Sequence, residues 1–202
     1  MPAYTDEEGK FAVRTARKVV EFYLEKENIP YIDFPKKFEK ESGVFTTIST
    51  YPARELRGCI GYPEPVLPLK DALIQSALSA AFSDPRFPPL RKNEINNIVF
   101  EVSLLTPPEE IKVEDRKELL NEVKIGLHGL IAERGFYRGL LLPQVPVEWK
   151  WDVKEFLEQT CWKAGLPRDC WLDRRTKFYR FTAEIFEEEE PRGSIRRKKL
   201  EA

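Results

Sequence analysis

Residues 56–61 read Leu-Arg-Gly-Cys-Ile-Gly, placing a thiol two positions after a guanidinium and between two glycines. A thiolate is the nucleophile of cysteine chemistry, and a fixed cation beside it lowers the pKa at which it forms. In an extended chain Arg57, Cys59 and Gly61 share one face while Leu56, Gly58 and Ile60 share the other. The cation then lies about 7 Å along the strand from the thiol. On this pattern Leu56 and Ile60 claim the core, and Gly61 leaves room beside the thiol for something to approach. The same six residues also fit a small cysteine packed in a tight strand, because free cysteine is among the most buried residue types.

Nucleophilic catalysis also needs a proton acceptor and donors for a developing oxyanion. The glycines around Cys59 leave backbone N–H groups for the second requirement. For the first there is one histidine, His128, in Ile-Gly-Leu-His-Gly-Leu at 125–130, whose small neighbours would admit a substrate. Glu148 could orient the imidazole as third member of a Cys, His, carboxylate set, and order along the chain is no objection to such a set. Each residue has a plainer reading. His128 on an alternating strand also suits a hydrogen-bonded structural role, and Glu148 a local cap or ion pair. Trp149 and Trp151 read as core ahead of a platform for a flat ligand. Substrate-binding candidates are Arg57, Gly58, Gly61, Arg86 and Phe87. The last two come from Ser-Asp-Pro-Arg-Phe-Pro-Pro-Leu at 83–90, which three prolines should stiffen.

The elements that must position these residues follow from periodicity and punctuation. Thr5 with Glu8 forms a capping box, and Ala12, Ala16, Val19, Val20 and Tyr23 recur at helical spacing, predicting a helix to about Asn28. Residues 43–50 and 56–61 are strands joined by a turn, giving a hairpin. A helix runs from about Leu69 to Phe82, and the strand that follows it turns Ile98, Phe100, Val102 and Leu104 to one side. A short helix in 114–123, two strands joined at 133–136, a helix opened by Asp152 and Glu155 and stopped at Gly165, and a final strand over 176–188 complete the series. From Pro191 the chain is basic and poor in apolar residues, which predicts a mobile tail.

Whole-chain properties narrow the function classes. Lys and Arg number 33 against 34 Asp and Glu, so a net charge of −1 supplies no general field for nucleic acid or membrane. There is no zinc-finger spacing and no RNP-type aromatic strand, so a nucleic-acid partner has thin support. No apolar stretch approaches a membrane span and no leader pattern is present, which predicts a cytoplasmic protein. A charged fraction of 33% matches the ion-pair style of proteins from hot environments. Cys59, Cys161, Cys170 and His128 match no standard ligand spacing, so neither a metal nor another cofactor is expected. A Cys161–Cys170 bridge stays open alongside free thiols.

Taken together, the segments at 56–61, 83–90, 101–105, 126–129 and 140–152, followed by Lys-Ala-Gly-Leu at 163–166, resemble the AMMECR domain family over nearly the whole chain and in the family's order. The hexapeptide around Cys59 is that family's hallmark, and the likeness is strongest to its compact archaeal and bacterial members. Human-type members read Leu-Pro-Glu-Val-Ala-Lys-Glu-Gln-Asp-Trp where this chain runs from Leu142 to Trp151. Glu148 matches, whereas Gln144 replaces an acid, which weakens position 144 as a site. The resemblance implies an α+β fold of strand hairpins and flanking helices in two unequal subdomains, the larger built from both chain ends. The domain would span 1–190 and the tail 191–202.

The resemblance brings no assigned reaction. It implies a basic cellular role in transcription, replication, repair or translation, and a functional link to Memo-like and radical-SAM proteins that neighbour the domain in bacteria. Two functions are carried forward. One is a cysteine-dependent enzyme on a small-molecule or modified-macromolecule substrate with Cys59 as nucleophile. The other is a noncatalytic module binding a small molecule or a protein, with Cys59 chosen for its size.

Overall fold

The computed structural model describes residues 2–199. In chain order its elements are α1 (Asp6–Lys26), β1 (Val44–Thr50), β2 (Leu56–Tyr62), α2 (Leu69–Phe82), β3 (Ile98–Leu105), β4 (Glu109–Glu110), α3 (Leu119–Glu122), β5 (Gly129–Arg134), β6 (Tyr137–Leu141), α4 (Gln144–Glu148), α5 (Val153–Lys163), β7 (Lys177–Phe181), β8 (Ala183–Glu188) and β9 (Ile195–Lys198). The protein is α+β, with its strands in two separate sheets. Two compact units follow. One comprises the residues up to Leu105 together with Glu184–Lys199, and the other Thr106–Ala183.

In the first unit the strand order is β2-β1-β3-β8-β9, with β1 antiparallel to both β2 and β3 and β9 antiparallel to β8. Strand alternation sends Val44 and Ile48 of β1 and Ile98, Phe100, Val102 and Leu104 of β3 into one core, all essentially inaccessible to solvent. Helices α1 and α2 pack on that face. Helix α1 starts where Thr5 accepts the Glu8 N–H and the Glu8 carboxylate accepts the Thr5 N–H. Three acids in its first turn suit the positive end of the helix dipole. Arg17, on its buried face, is satisfied by Glu188 at 2.6 Å and by the Ile98 carbonyl at 2.7 Å.

The second unit has the order β4-β7-β5-β6, antiparallel throughout, around a core that includes Leu130, Phe156, Leu157 and Phe178. Asp152 caps α5 by accepting the Glu155 N–H, and Gly165 at φ +78° ends it. A disulfide joins Cys161, near the end of α5, to Cys170 in the turn after it.

Three expectations change. The strand foreseen over 176–188 is two strands, β7 and β8, in different sheets; the change of sheet falls at Thr182, whose N–H bonds to the Thr106 hydroxyl. The basic tail is not loose over 195–198. There Ile195 is buried, Arg196 pairs with Glu187 at 2.8 Å, and Arg197 reaches Asp6 and the Tyr4 carbonyl, so cations that look solvated in sequence meet acids across the β8–β9 pair. Residues 200–202 lie outside the described part. Leu56, finally, is 41% exposed rather than in the core, because the β1–β2 register shifts between Ile48 and Ser49 and β2 begins beyond that irregularity.

Candidate functional site

Cys59 lies at the middle of β2, an edge strand of the five-stranded sheet. It faces Thr47 on β1. Its backbone N–H donates away from β1, to Asp84 Oδ2 at 2.9 Å, and its carbonyl accepts from Arg86 Nη2 at 3.2 Å. The Cys59–Thr47 pair is therefore of the non-hydrogen-bonded kind, in which facing side chains come closest. The Thr47 hydroxyl accordingly donates to Cys59 Sγ at 3.2 Å. Side chains of the 83–90 loop stand in for a neighbouring strand here and close the open edge.

That loop is held as firmly as its prolines predict. Asp84 is buried and accepts from the Arg86 N–H at 3.0 Å, Arg86 Nε at 3.0 Å and Arg86 Nη2 at 2.8 Å, besides Cys59. The Arg86 guanidinium and the hydrogen bonds converging on Asp84 hold its carboxyl well below the usual carboxylate range. Arg57 is also engaged. Its Nε and Nη2 form a forked pair with Glu94 at 2.8 and 3.2 Å, and Nη2 donates to the Pro88 carbonyl at 2.9 Å. Phe87 receives both guanidiniums near its ring, with centroid distances of 5.9 Å to Arg57 and 5.6 Å to Arg86.

The two glycines have separate purposes. A Cβ on Gly58 would stand 2.0 Å from the Ala80 carbonyl oxygen, so Gly58 is where α2 approaches the strand backbone. A Cβ on Gly61 would stand 2.1 Å from the Phe45 ring, its cross-strand neighbour. The space expected beside the thiol at Gly61 is thus filled by Phe45, and Gly58 is buried under the helix.

Burial pushes the Cys59 thiol above its ordinary pKa. The Thr47 hydrogen bond and the Arg86 charge act against burial, and the charges of Glu101 and Asp84 reinforce it. The cation that favours the thiolate is therefore Arg86, not Arg57. Glu101 was missed in the sequence. It pairs with Thr47 across the β1–β3 ladder, which puts Cys59, Thr47 and Glu101 in one row on the sheet face opposite the helices. Lys198 of β9 extends the row with an ion pair to Glu101 at 2.8 Å. Parity alone signals that Thr47 and Glu101 share a face with Cys59 once the pairing is known; Asp84 carried no signal beyond its neighbourhood to Arg86.

His128 and Glu148 belong to the second unit, whereas Cys59, Arg57, Gly58, Gly61, Arg86 and Phe87 belong to the first. His128 precedes β5, in the turn that Lys124 closes. Its N–H donates to the Lys124 carbonyl at 3.0 Å, and its Nδ1 accepts from the Lys124 N–H at 3.1 Å. Burial, then the charges of Arg180 and Lys124, hold the imidazole pKa below its usual value, so the ring is neutral at pH 7. With Nδ1 accepting, the single ring proton resides on Nε2. Glu148 is exposed at the end of α4, and no hydrogen bond or ion pair among the described residues joins it to His128. Trp149 is 68% exposed and stacks on Trp151 at 6.1 Å, so this pair is not wholly core. The disulfide removes Cys161 and Cys170 from any metal set.

The AMMECR1 family model matches residues 13–186. The protein MJ0810 of Methanocaldococcus jannaschii is 58% identical over 200 residues, covering 99% of this chain and 100% of that one. The protein PYRAB00100 of Pyrococcus abyssi is 55% identical over 205 residues, covering 99% and 100%. A crystal structure of the uncharacterized protein PH0010 from Pyrococcus horikoshii superposes with a TM-score of 0.79 at 54% identity, covering 97% of this chain and 98% of that one.

Proposed function

The chain belongs to the AMMECR1 family, and from the geometry at Cys59 we propose that it is a cytoplasmic ligand- or partner-binding module. Its recognition surface is the sheet face and edge at Arg57, Cys59 and Gly61, with Arg86 and Phe87 from the neighbouring loop. One observation carries this reading. The thiol is held protonated by burial while both nearby guanidiniums are already committed, Arg57 to Glu94 and Arg86 to Asp84. A resting nucleophile requires the opposite arrangement, with an unspent cation beside an accessible thiolate. In a binding surface, a half-buried thiol is a small polarizable wall whose size matters more than its ionisation. The partner on this reading is a small molecule or a protein, in one of the basic processes of transcription, replication, repair or translation.

Alkylation by iodoacetamide under non-reducing conditions tests it, since Cys59 is the free thiol among three cysteines. The rate should rise with a midpoint above the usual cysteine range, and at pH 7 it should fall below that of the same thiol in unfolded protein. Arg57→Gln should leave it unchanged. A midpoint below neutrality with acceleration over the unfolded chain would overturn the binding reading.

A second reading retains the enzyme, and the Thr47 donor aimed at Sγ is what favours it, because that bond stabilises a thiolate once formed. Cys59 is then the nucleophile, acting on a small-molecule or modified-macromolecule substrate. Metabolite profiling with purified protein decides. Turnover lost in Cys59→Ser supports catalysis, and turnover retained in Cys59→Ser excludes the nucleophile.

A further inference from the structure

The second unit holds an open cleft of about 560 Å³ that no residue of the Cys59 surface lines. Lys112, Arg116, Arg174 and Lys177 contribute to its wall, with Glu110 and Glu114 as the acids. A further hollow of about 500 Å³ shares Glu114, Arg116 and Arg174, so the two arginines are flanked by accessible space on more than one side. The volume lies in the range of small-ligand sites.

What distinguishes the cleft is charge left unspent. Several other arginines among the described residues face carboxylates, as Arg17 does Glu188, Arg57 Glu94, Arg86 Asp84 and Arg180 Glu122. Among the described residues none of the four cleft cations has an ion pair. Solvated lysines need no explanation, but the arginines are positioned. Arg116 is half-buried over the Phe178 ring and donates from Nε to the Trp171 carbonyl and from Nη2 to the Thr176 carbonyl, each at 2.8 Å. Arg174 Nη2 donates to the Glu114 carbonyl at 3.0 Å. Neutral carbonyls thus hold both guanidiniums, and no carboxylate among the described residues forms an ion pair with either. Burial presses the Arg116 pKa downward, and only the charge of Asp173 opposes it. A second, separate feature points the same way: Thr176 of the wall is fully buried, and its hydroxyl has no partner among the described residues. A buried unpaired hydroxyl is costly unless something completes it.

We propose that this cleft binds a phosphorylated small molecule carrying hydroxyl groups, its phosphate on the Arg116–Arg174 pair and its hydroxyls toward Glu110 and Glu114. Guanidinium groups recognise tetrahedral oxyanions through forked, charge-assisted hydrogen bonds. The cleft exceeds what inorganic phosphate alone would fill, and the two acids suit a polyhydroxylated scaffold rather than a bare anion.

The experiment titrates the full-length protein at low ionic strength with inorganic phosphate, ribose 5-phosphate, adenosine 5′-monophosphate and unphosphorylated ribose, read by calorimetry and by ³¹P NMR. Arg116 supports the fold, so the variants are Arg174→Ala with Lys177→Ala, and separately Thr176→Val. Ribose 5-phosphate or the nucleotide should bind more tightly than phosphate, with ribose silent. The double variant should weaken binding about tenfold or more at unchanged melting temperature, the loss of roughly 1.4 kcal/mol. Thr176→Val should keep or raise the stability of the unliganded protein, and Cys59→Ser should bind like wild type. Silence of every phosphorylated probe at millimolar concentration, equal binding by wild type and double variant, or a preference for single-stranded RNA over the small probes would each overturn the proposal.

Discussion

Asp84 should be the residue on which the Cys59 edge depends, and Asp84→Ala measures that dependence. The carboxylate accepts from the Cys59 N–H and from three N–H groups of Arg86, at 2.8 to 3.0 Å. Its removal leaves the Cys59 and Arg86 amides without acceptors beside a strand edge that the loop side chains otherwise close. An unsatisfied group of this kind costs about 1–3 kcal/mol. The Arg86 side chain is 54% exposed and resolvates, so its lost ion pair adds at most about 1 kcal/mol. Counting one such amide and the ion pair, the sum is about 1–4 kcal/mol. For a chain of this size, each kcal/mol lowers the melting temperature by roughly 2–4 °C. Asp84→Asn keeps an acceptor for Cys59 but not the charge, and should fall between wild type and Asp84→Ala.

Urea denaturation at constant slope provides the energies, and amide exchange at Cys59 should accelerate in Asp84→Ala. The pH dependence has a definite sign. Since the folded carboxyl titrates below its unfolded value near 3.8, the stabilisation is complete above that pH and is lost as pH falls through the folded value. The gap between wild type and Asp84→Asn should therefore be flat from neutrality to mild acid and narrow only below it. A loss under about 0.5 kcal/mol in Asp84→Ala would refute the argument that the loop carboxylate organises the edge.

Gly58→Ala should destabilise by about 1–3 kcal/mol, and Gly61→Ala by less. The first Cβ meets the Ala80 backbone oxygen and the second only the Phe45 ring, which can turn; thermal melts giving the reverse order would contradict this. Reduction of the Cys161–Cys170 bridge, which closes a sequence separation of 9, should cost about 2–3 kcal/mol of chain-entropy stabilisation, seen as a lower melting temperature in reductant. Truncation after Gly193 removes β9 and with it the burial of Ile195, worth about 1.5–3 kcal/mol before any ion pair is counted. A truncated chain melting with wild type would mean that β9 adds nothing to the sheet.

Local signals made much of the fold legible. Thr5 with Glu8 and Asp152 with Glu155 are caps whose partners lie three residues away, and β3 alternates over its length, so each could be read within one window. The elements that escaped depend on distant partners. Residues 195–198 contain one apolar side chain among cations and resemble a solvated terminus until Glu187, Asp6 and Glu101 are brought beside them. The apolar residues over 176–188 do not reveal that β7 and β8 join different sheets, because the change at Thr182 is made by distant partners and not by a local signal.

The same distinction governs the candidate site. The faces of β2 were readable from Gly58 to Gly61, where parity holds, but not at Leu56, beyond the register irregularity. Whether a cation near a thiol activates it cannot be read from parity, because activation depends on net charge after partners are assigned. Glu94 lies 37 residues from Arg57, and Asp84 lies 25 from Cys59, distances over which no spacing rule operates. Arg57, the cation that makes the hallmark segment look reactive, is paired with Glu94, and Arg86 is paired with Asp84, while Arg116 and Arg174, which no motif marks, are held by neutral carbonyls. Unspent charge on a positioned guanidinium is an interaction still to be made, and in this chain it lies in the cleft beside Thr176, not at the cysteine.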